Sequence, residues 1–77
     1  MRIESRPPGA RVMVDESVVM DGEEPAVTPL AIKVPAGRYR VDVAMSGYEP
    51  FTTYVKVHDG KARDLSARLV PVVSRMR

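Results

Sequence analysis

The sequence predicts an all-β domain, a sandwich or barrel of about six or seven short strands, from three observations. Apolar residues alternate with polar ones through most of the chain, which is typical of strands with one buried and one wet face. Turn signals that contain glycine recur at intervals of roughly ten residues. Seven prolines are spread over the 77 residues and interrupt the candidate helices.

The alternation defines the strands and the side chains that face inward. It is clearest in "YRVDVAM" (39–45) and "FTTYVKV" (51–57), and it recurs in "RVMVD", "LAIKV" and "RDLSARL". The opening "MRIES" is a short candidate strand. The residues predicted to face inward are Ile3, Val12, Val14, Leu30, Ile32, Val34, Tyr39, Val41, Val43, Met45, Phe51, Thr53, Val55, Val57, Leu65, Ala67 and Leu69.

Corners rich in proline and glycine connect these strands. The segment Pro7–Gly9 predicts a stiff corner that directs the chain into "RVMVD". Gly37 in "PAGR" and Gly47 in "SGYE" are predicted to occupy turn positions with positive φ, which glycine tolerates. Tyr39 and Tyr48 are expected to pack in the core or against these corners.

Two further predictions concern strand register. Setting inward-facing Val55 opposite Leu65 requires one extra residue in the turn "HDGK", so we expect a glycine bulge at Gly60. Antiparallel pairing of 39–45 with 51–57 is expected to place Asp42 opposite Lys56 on the wet face. A pair of like charges directly opposite each other would be disfavoured there.

Composition limits the chain to one small domain, predicted over residues 1–70, with 71–77 as a tail. We expect the tail to be an extra edge strand, the beginning of a linker or the boundary of an excised fragment. The chain has no cysteine, no run long enough to span a membrane and no apolar signal-peptide core, so we expect no membrane insertion by this segment. It is either cytosolic or a piece of a larger exported protein. Basic residues are scattered among acids, which disfavours a nucleic-acid partner.

The residues for catalysis or cofactor binding are missing from the sequence. His58, the single histidine, lies in a turn beside Asp59, so a nucleophile would lack a well-placed base. The carboxylates between Asp15 and Glu24 are of the type that calcium prefers, but their spacing does not match an EF-hand loop. We therefore predict no enzyme, no cofactor and no metal site.

The corners, taken in order, resemble the PEGA domain family. The resemblance rests on "SRPPGARVMVD" (5–15), "TPL" (28–30), "PAGRYRVDV" (35–43) and "GY" (47–48), and it runs from about Ile3 to Leu69. It implies a small antiparallel β-sandwich of the prealbumin-like, or transthyretin-like, type. It also implies an accessory module, often tandem, in bacterial and archaeal envelope proteins or in the extracytoplasmic parts of signalling proteins, with no catalytic residues.

The chain departs from the family pattern in two places. Pro8 replaces the acid of the Pro-Glu-Gly-Ala motif, which stiffens the corner. The segment 16–27 replaces a short glycine turn, and we expect it to form a long, mobile hairpin or loop. Its apolar triplet and nearby acids make it the candidate interaction site: Val18, Val19, Met20, Glu23 and Glu24.

Tyr54 lies out of phase with its inward-facing neighbours and is therefore predicted to face solvent. An exposed aromatic ring is able to stack on a sugar, while cross-strand packing on the outer face is the alternative. The sequence thus predicts a non-catalytic module that binds other domains of a parent protein or an envelope protein, or spaces domains. The alternative is a module that binds cell-wall glycan or peptidoglycan.

Overall fold

The computed structural model describes residues 1–59 and 62–72, and within them the chain forms β-strands and no helix. The predicted all-β fold class is confirmed. There are nine strands in this part rather than six or seven, because the segment 16–27 contributes three short strands of its own. They are β1 Arg2–Arg6, β2 Arg11–Val14, β3 Ser17–Val18, β4 Met20–Asp21, β5 Glu24–Pro25, β6 Leu30–Ala31, β7 Gly37–Ala44, β8 Phe51–Val57 and β9 Asp64–Arg68.

The strands form two main sheets and one small ribbon. The larger sheet has the order β3-β2-β7-β8 and is antiparallel throughout. The second sheet has the order β6-β1-β9, in which β1 is antiparallel to β6 and parallel to β9. Strands β4 and β5 pair only with each other. The corner Pro7–Gly9 carries the chain from β1 in one sheet to β2 in the other.

The core lies between the inner faces of the two main sheets, where the predicted alternation places it. Each inward-facing residue predicted from the sequence is buried or half-buried, and the residues between them on β8 and β9 are exposed. β-Branched residues dominate because they fit a pleated surface. The fully packed members are Ile3, Ala10, Val12, Val41, Val43, Val55, Val57, Ala67 and Leu69.

The predicted register of β7 and β8 is wrong by four residues. Asp42 lies opposite Thr52, and Lys56 lies opposite Arg38, a like-charge pair at the exposed surface. The pairing stops at Val43 and Phe51, because the next residues form a corner in which the Tyr48 amide donates to the Met45 carbonyl at 3.0 Å. A shift by four keeps every side chain on its predicted face, so alternation alone did not distinguish the two registers.

Strand β9 does not form the predicted hairpin with β8. Leu65 lies opposite Ile3 in the parallel pair β1–β9, not opposite Val55. The alternation correctly predicts that Leu65 and Ala67 face the core. In a sandwich, however, a strand in either sheet directs one face toward the core, so alternation does not indicate which sheet β9 joins. The chain crosses to the three-stranded sheet, and these two side chains face the core from that side. Gly60, the predicted bulge, lies outside the described residues.

The two predicted turn glycines have different outcomes. Gly47 lies in a turn with a φ of +86°, as predicted, and Gly9 in the first corner has a φ of +99°. Gly37 is the first residue of β7 rather than a turn residue, and its φ of +156° borders on extended backbone. Beside it, the Tyr39 hydroxyl donates to the Pro35 carbonyl at 2.6 Å and closes this corner.

Candidate functional site

The first corner is held by a buried network of two hydroxyl groups. Thr28 Oγ1 accepts the amide hydrogens of Gly9 at 3.2 Å and Ala10 at 3.0 Å. The Ser5 hydroxyl donates to the Pro7 carbonyl at 2.8 Å, so the 2.5 Å contact between Ser5 and Thr28 uses the hydrogen of Thr28. Both side chains are buried, and the network satisfies every hydroxyl hydrogen within it. These residues serve the fold rather than a ligand.

Segment 16–27 begins with a tight hairpin between β2 and β3. Its two loop residues, Asp15 and Glu16, have φ values of +51° and +70°, the signature of a type I′ turn. Asp15 is fixed to β7 twice: its amide donates to the Arg40 carbonyl at 2.8 Å, and its carboxylate accepts the Arg40 amide at 2.9 Å. The start of the segment is therefore anchored to the sheet.

A second hairpin, β4–β5, projects from this anchored base, and we call residues 19–26 the inserted hairpin. Gly22 opens its two-residue loop with a φ of +68°, the position at which a type II′ turn takes glycine. The Val19 amide donates to the Val12 carbonyl, and the Ala26 amide donates to the Val19 carbonyl. Val19 is half-buried against the core, so the segment contacts the core through the middle residue of the apolar triplet.

The remaining candidate residues of this segment face solvent. Val18 and Met20 are 45% and 51% exposed, and Val27, which the sequence reasoning did not single out, is 47% exposed. Glu23 and Glu24 are exposed near the turn of the inserted hairpin. The sequence gives no indication that Val27 is exposed, because its position directly before the "TPL" motif does not determine which way its side chain faces.

An open groove of about 700 Å³ runs between the inserted hairpin and β6. Met20, Val27 and Leu30 give it apolar surface, while Asp21 and Glu24 place carboxylates along it. Neither these carboxylates nor that of Glu23 forms an ion pair with any residue that the structure describes. The groove thus combines an apolar strip, formed by Met20, Val27 and Leu30, with a local excess of negative charge.

Tyr54 lies on the outer face of the four-stranded sheet and is 68% exposed, so its predicted orientation is confirmed. It lies opposite Arg40. The Arg40 guanidinium is 3.6 Å from Glu16 and 3.3 Å from Asp42, although its buried Nε makes no aligned hydrogen bond. Thr52 donates to Asp42 at 2.5 Å. The arrangement presents one aromatic ring beside positive and polar side chains.

In residues 1–59 and 62–72, no group of three or more histidine, cysteine or carboxylate side chains could hold a metal ion. His58 is exposed just beyond the end of β8. The same residues include no helix long and apolar enough to cross a membrane.

The sequence matches the model of a known domain family over most of its length. The family model of the PEGA domain matches residues 1–72 of the 77-residue chain. This chain belongs to the PEGA domain family. The family is one of accessory domains, typically extracellular or periplasmic. A search of curated proteins found no match to this chain.

The structure gives the PEGA motif a physical role. The corner network joins the two motifs: Thr28 from "TPL" contacts Ser5, Gly9 and Ala10 from "SRPPGA". The motif residues therefore stabilise this corner of the fold. Gly47 and Tyr48 from "GY" form the corner before β8, where the backbone of Tyr48 also bridges to Pro71 of the predicted tail.

Proposed function

We propose that this PEGA domain is a non-catalytic accessory module that binds a protein partner through the inserted hairpin and its groove. The observation that carries the proposal is the exposed apolar surface of Met20 and Val27 along the groove, beside carboxylates that form no ion pair with any described residue. The partner is another domain of the parent protein or an envelope protein. An extracytoplasmic location in the cell envelope is part of this proposal and agrees with the family's usual setting.

The apolar part of the surface supports a protein partner rather than a small ligand. A small domain needs most of its apolar side chains for its core, and an exposed cluster is a recognised feature of interaction sites. The groove is open on one side, whereas small-molecule sites enclose most of the ligand surface. Burying the exposed part of such a side chain contributes on the order of 1 kcal/mol to binding.

The charge of the same surface predicts the chemistry of the partner. Asp21, Glu23 and Glu24 lie within four residues of one another and form no ion pair in the described part of the chain. A basic, partly apolar segment complements them. Because the charges are exposed, they accelerate encounter and impose salt dependence more than they add affinity.

Site-specific photo-crosslinking in the native host tests this proposal. A photoreactive residue is placed at Met20, at Tyr54 on the other candidate surface, and at Ser66 on β9 as an exposed control. The proposal expects a discrete adduct with a protein other than a second copy of this chain from position 20 alone. The captured partner, once purified, is expected to bind the Met20→Ser variant about fivefold more weakly than the wild type. Equal adducts at all three positions, or none at position 20, contradict the proposal.

A second candidate function, binding of cell-wall glycan, is favoured by the setting of Tyr54. Its ring is exposed, lies opposite Arg40, and has Thr52 and Lys56 on the same face of β8. Such a surface combines a stacking platform with groups that bind hydroxyls and carboxylates. Sedimentation with purified peptidoglycan tests it: Tyr54→Ala is expected to abolish retention and Tyr54→Phe to retain it. Equal retention of both variants would exclude stacking on this ring.

A further inference from the structure

The outer edge of β8 is not used by the proposed function. β8 is a seven-residue strand at the end of the four-stranded sheet, and β7 is its only neighbour within the described residues. In that part of the chain, no backbone hydrogen bond outside the strand ladders reaches residues 51–57. Alternate residues of an antiparallel edge strand direct their N–H and C=O groups away from the neighbour. β8 therefore presents a row of backbone donors and acceptors without protein partners there.

The other edges of the two main sheets are protected and β8 is not. β3 and β6 are two residues long, and β9 has a charged residue at each end, Asp64 and Arg68. Shortness and charge are the usual means of preventing strand addition. β8 contains no proline and a single charge, Lys56, and six of its seven residues are β-branched or aromatic. It is therefore the edge best suited to accept another strand.

We propose that β8 pairs antiparallel with β8 of a second copy, about a two-fold axis that passes through Tyr54. The two four-stranded sheets then join into one continuous sheet across a dimer interface. This is the one symmetric register in which all seven residues of each β8 find a partner. Tyr54 lies opposite Tyr54 of the partner subunit, an aromatic pair of the kind that stabilises sheets.

The charges on the outer face permit this register. Thr52 lies opposite the partner's Lys56, so no like charges face each other across the interface. The two copies of Lys56 are offset by four residues along the strands, a separation of about 13 Å. That exceeds the screening length of about 8 Å at physiological salt, so their repulsion is weak.

The inner face gives the new pairing apolar contacts. Phe51 and Thr53 are only half-buried in the single copy, whereas Val55 and Val57 are buried. In the proposed register, Phe51 lies opposite the partner's Val57 and Thr53 lies opposite the partner's Val55. The half-buried end of each strand is thus covered by the apolar end of the other. One strand pair makes a small interface, so we expect a dissociation constant on the order of 100 μM.

Sedimentation equilibrium of the 77-residue chain, from about 10 μM to about 1 mM, tests the dimer. A charge exchange tests the register. Thr52→Lys places a lysine opposite the partner's Lys56 twice in the dimer. In the single copy it exchanges the hydrogen bond between Thr52 and Asp42 for an opposite-charge pair, so the melting midpoint is expected to change little. We expect it to weaken dimerisation about 2- to 30-fold. Adding Lys56→Glu creates two opposite-charge pairs in the dimer and is expected to restore or strengthen association.

Three results would overturn the proposal. A wild-type chain that is monomeric at about 1 mM excludes the dimer. A dimer whose affinity is unchanged by Thr52→Lys and by the charge exchange forms through another surface. If the chain stays monomeric but a peptide of alternating valine and glutamate shifts the amide NMR signals of β8, the edge accepts a foreign acidic strand and not a second copy.

Discussion

Replacing Thr28 with valine is expected to destabilise the domain without leaving a cavity, because the two side chains have nearly the same shape. The substitution removes the acceptor of the Ala10 amide, which has no other hydrogen-bond acceptor in the described structure. It also removes the hydrogen bond to Ser5. Gly9 is affected less, because its amide also donates to the Thr28 carbonyl at 2.9 Å.

The magnitude of this effect follows from the groups left without partners. An orphaned buried amide costs about 1–3 kcal/mol, and the lost hydroxyl hydrogen bond costs about 1 kcal/mol more. We therefore expect Thr28→Val to lower the free energy of unfolding by about 2–4 kcal/mol, out of roughly 4–12 kcal/mol for a domain of this size. The corresponding fall in the melting midpoint is at least about 8 °C.

Urea denaturation followed by far-ultraviolet circular dichroism measures this difference. Thr28→Ser is the matched control, because it keeps the hydroxyl and loses only a methyl group, at a cost of about 1 kcal/mol. The comparison separates the hydrogen bonds from the packing. If Thr28→Val is as stable as Thr28→Ser, the corner network contributes nothing and our explanation of the PEGA motif is wrong.

Three further predictions concern turns and the inserted hairpin. Glu16→Gly is expected to be about 1 kcal/mol more stable than Glu16→Ala, because both lose the ion pair with Arg40 while only glycine relieves the positive φ; equal midpoints would reject strain at this turn. Gly47→Ala is expected to cost about 1–2 kcal/mol by thermal melting, and an unchanged midpoint would contradict the φ of +86°. Replacing Met20–Pro25 with Asn-Gly is expected to change the unfolding free energy by less than about 1 kcal/mol while abolishing partner binding; unfolding would place that segment in the core.

The sequence was sufficient to predict which apolar side chains of the main strands face the core. Alternation with period two depends only on the pleat, so Val41, Val43, Val55 and Val57 were assigned to the core without knowledge of the topology. The exposure of Tyr54 followed from the same phase. These predictions succeed because each strand has one wet face and one buried face.

Strand pairing was not predictable from the same pattern. Any even shift keeps the alternation, so the true alignment of Asp42 with Thr52 had no distinct signal. The pairing ends at the corner around Tyr48, whose backbone also bridges to Pro71 far along the chain. Whether β9 joins β8 or β1 is likewise decided by how the two layers cover each other.

The candidate site was predictable as a segment but not as a surface. The acids and the apolar triplet pointed to residues 16–27, yet the groove requires β6 and Val27. The type I′ turn at Asp15 and Glu16 lacked the glycine that usually indicates it. Its conformation is imposed by the backbone contacts of Asp15 with Arg40 on β7, which the sequence alone does not indicate.

The anchoring of segment 16–27 supports our proposal that this part of the PEGA fold carries a specific interaction. The segment leaves the sheet at Asp15, which is bonded to Arg40, and returns at Val27, which bridges to Arg11, directly before Thr28 of the corner network. Because both ends are held by the sheet and the motif, the entropy of closing the loop rises only slowly with its length. Residues between these anchors are therefore free to differ at little cost in stability. A binding surface built from core positions would instead weaken a domain that has few apolar side chains to spare.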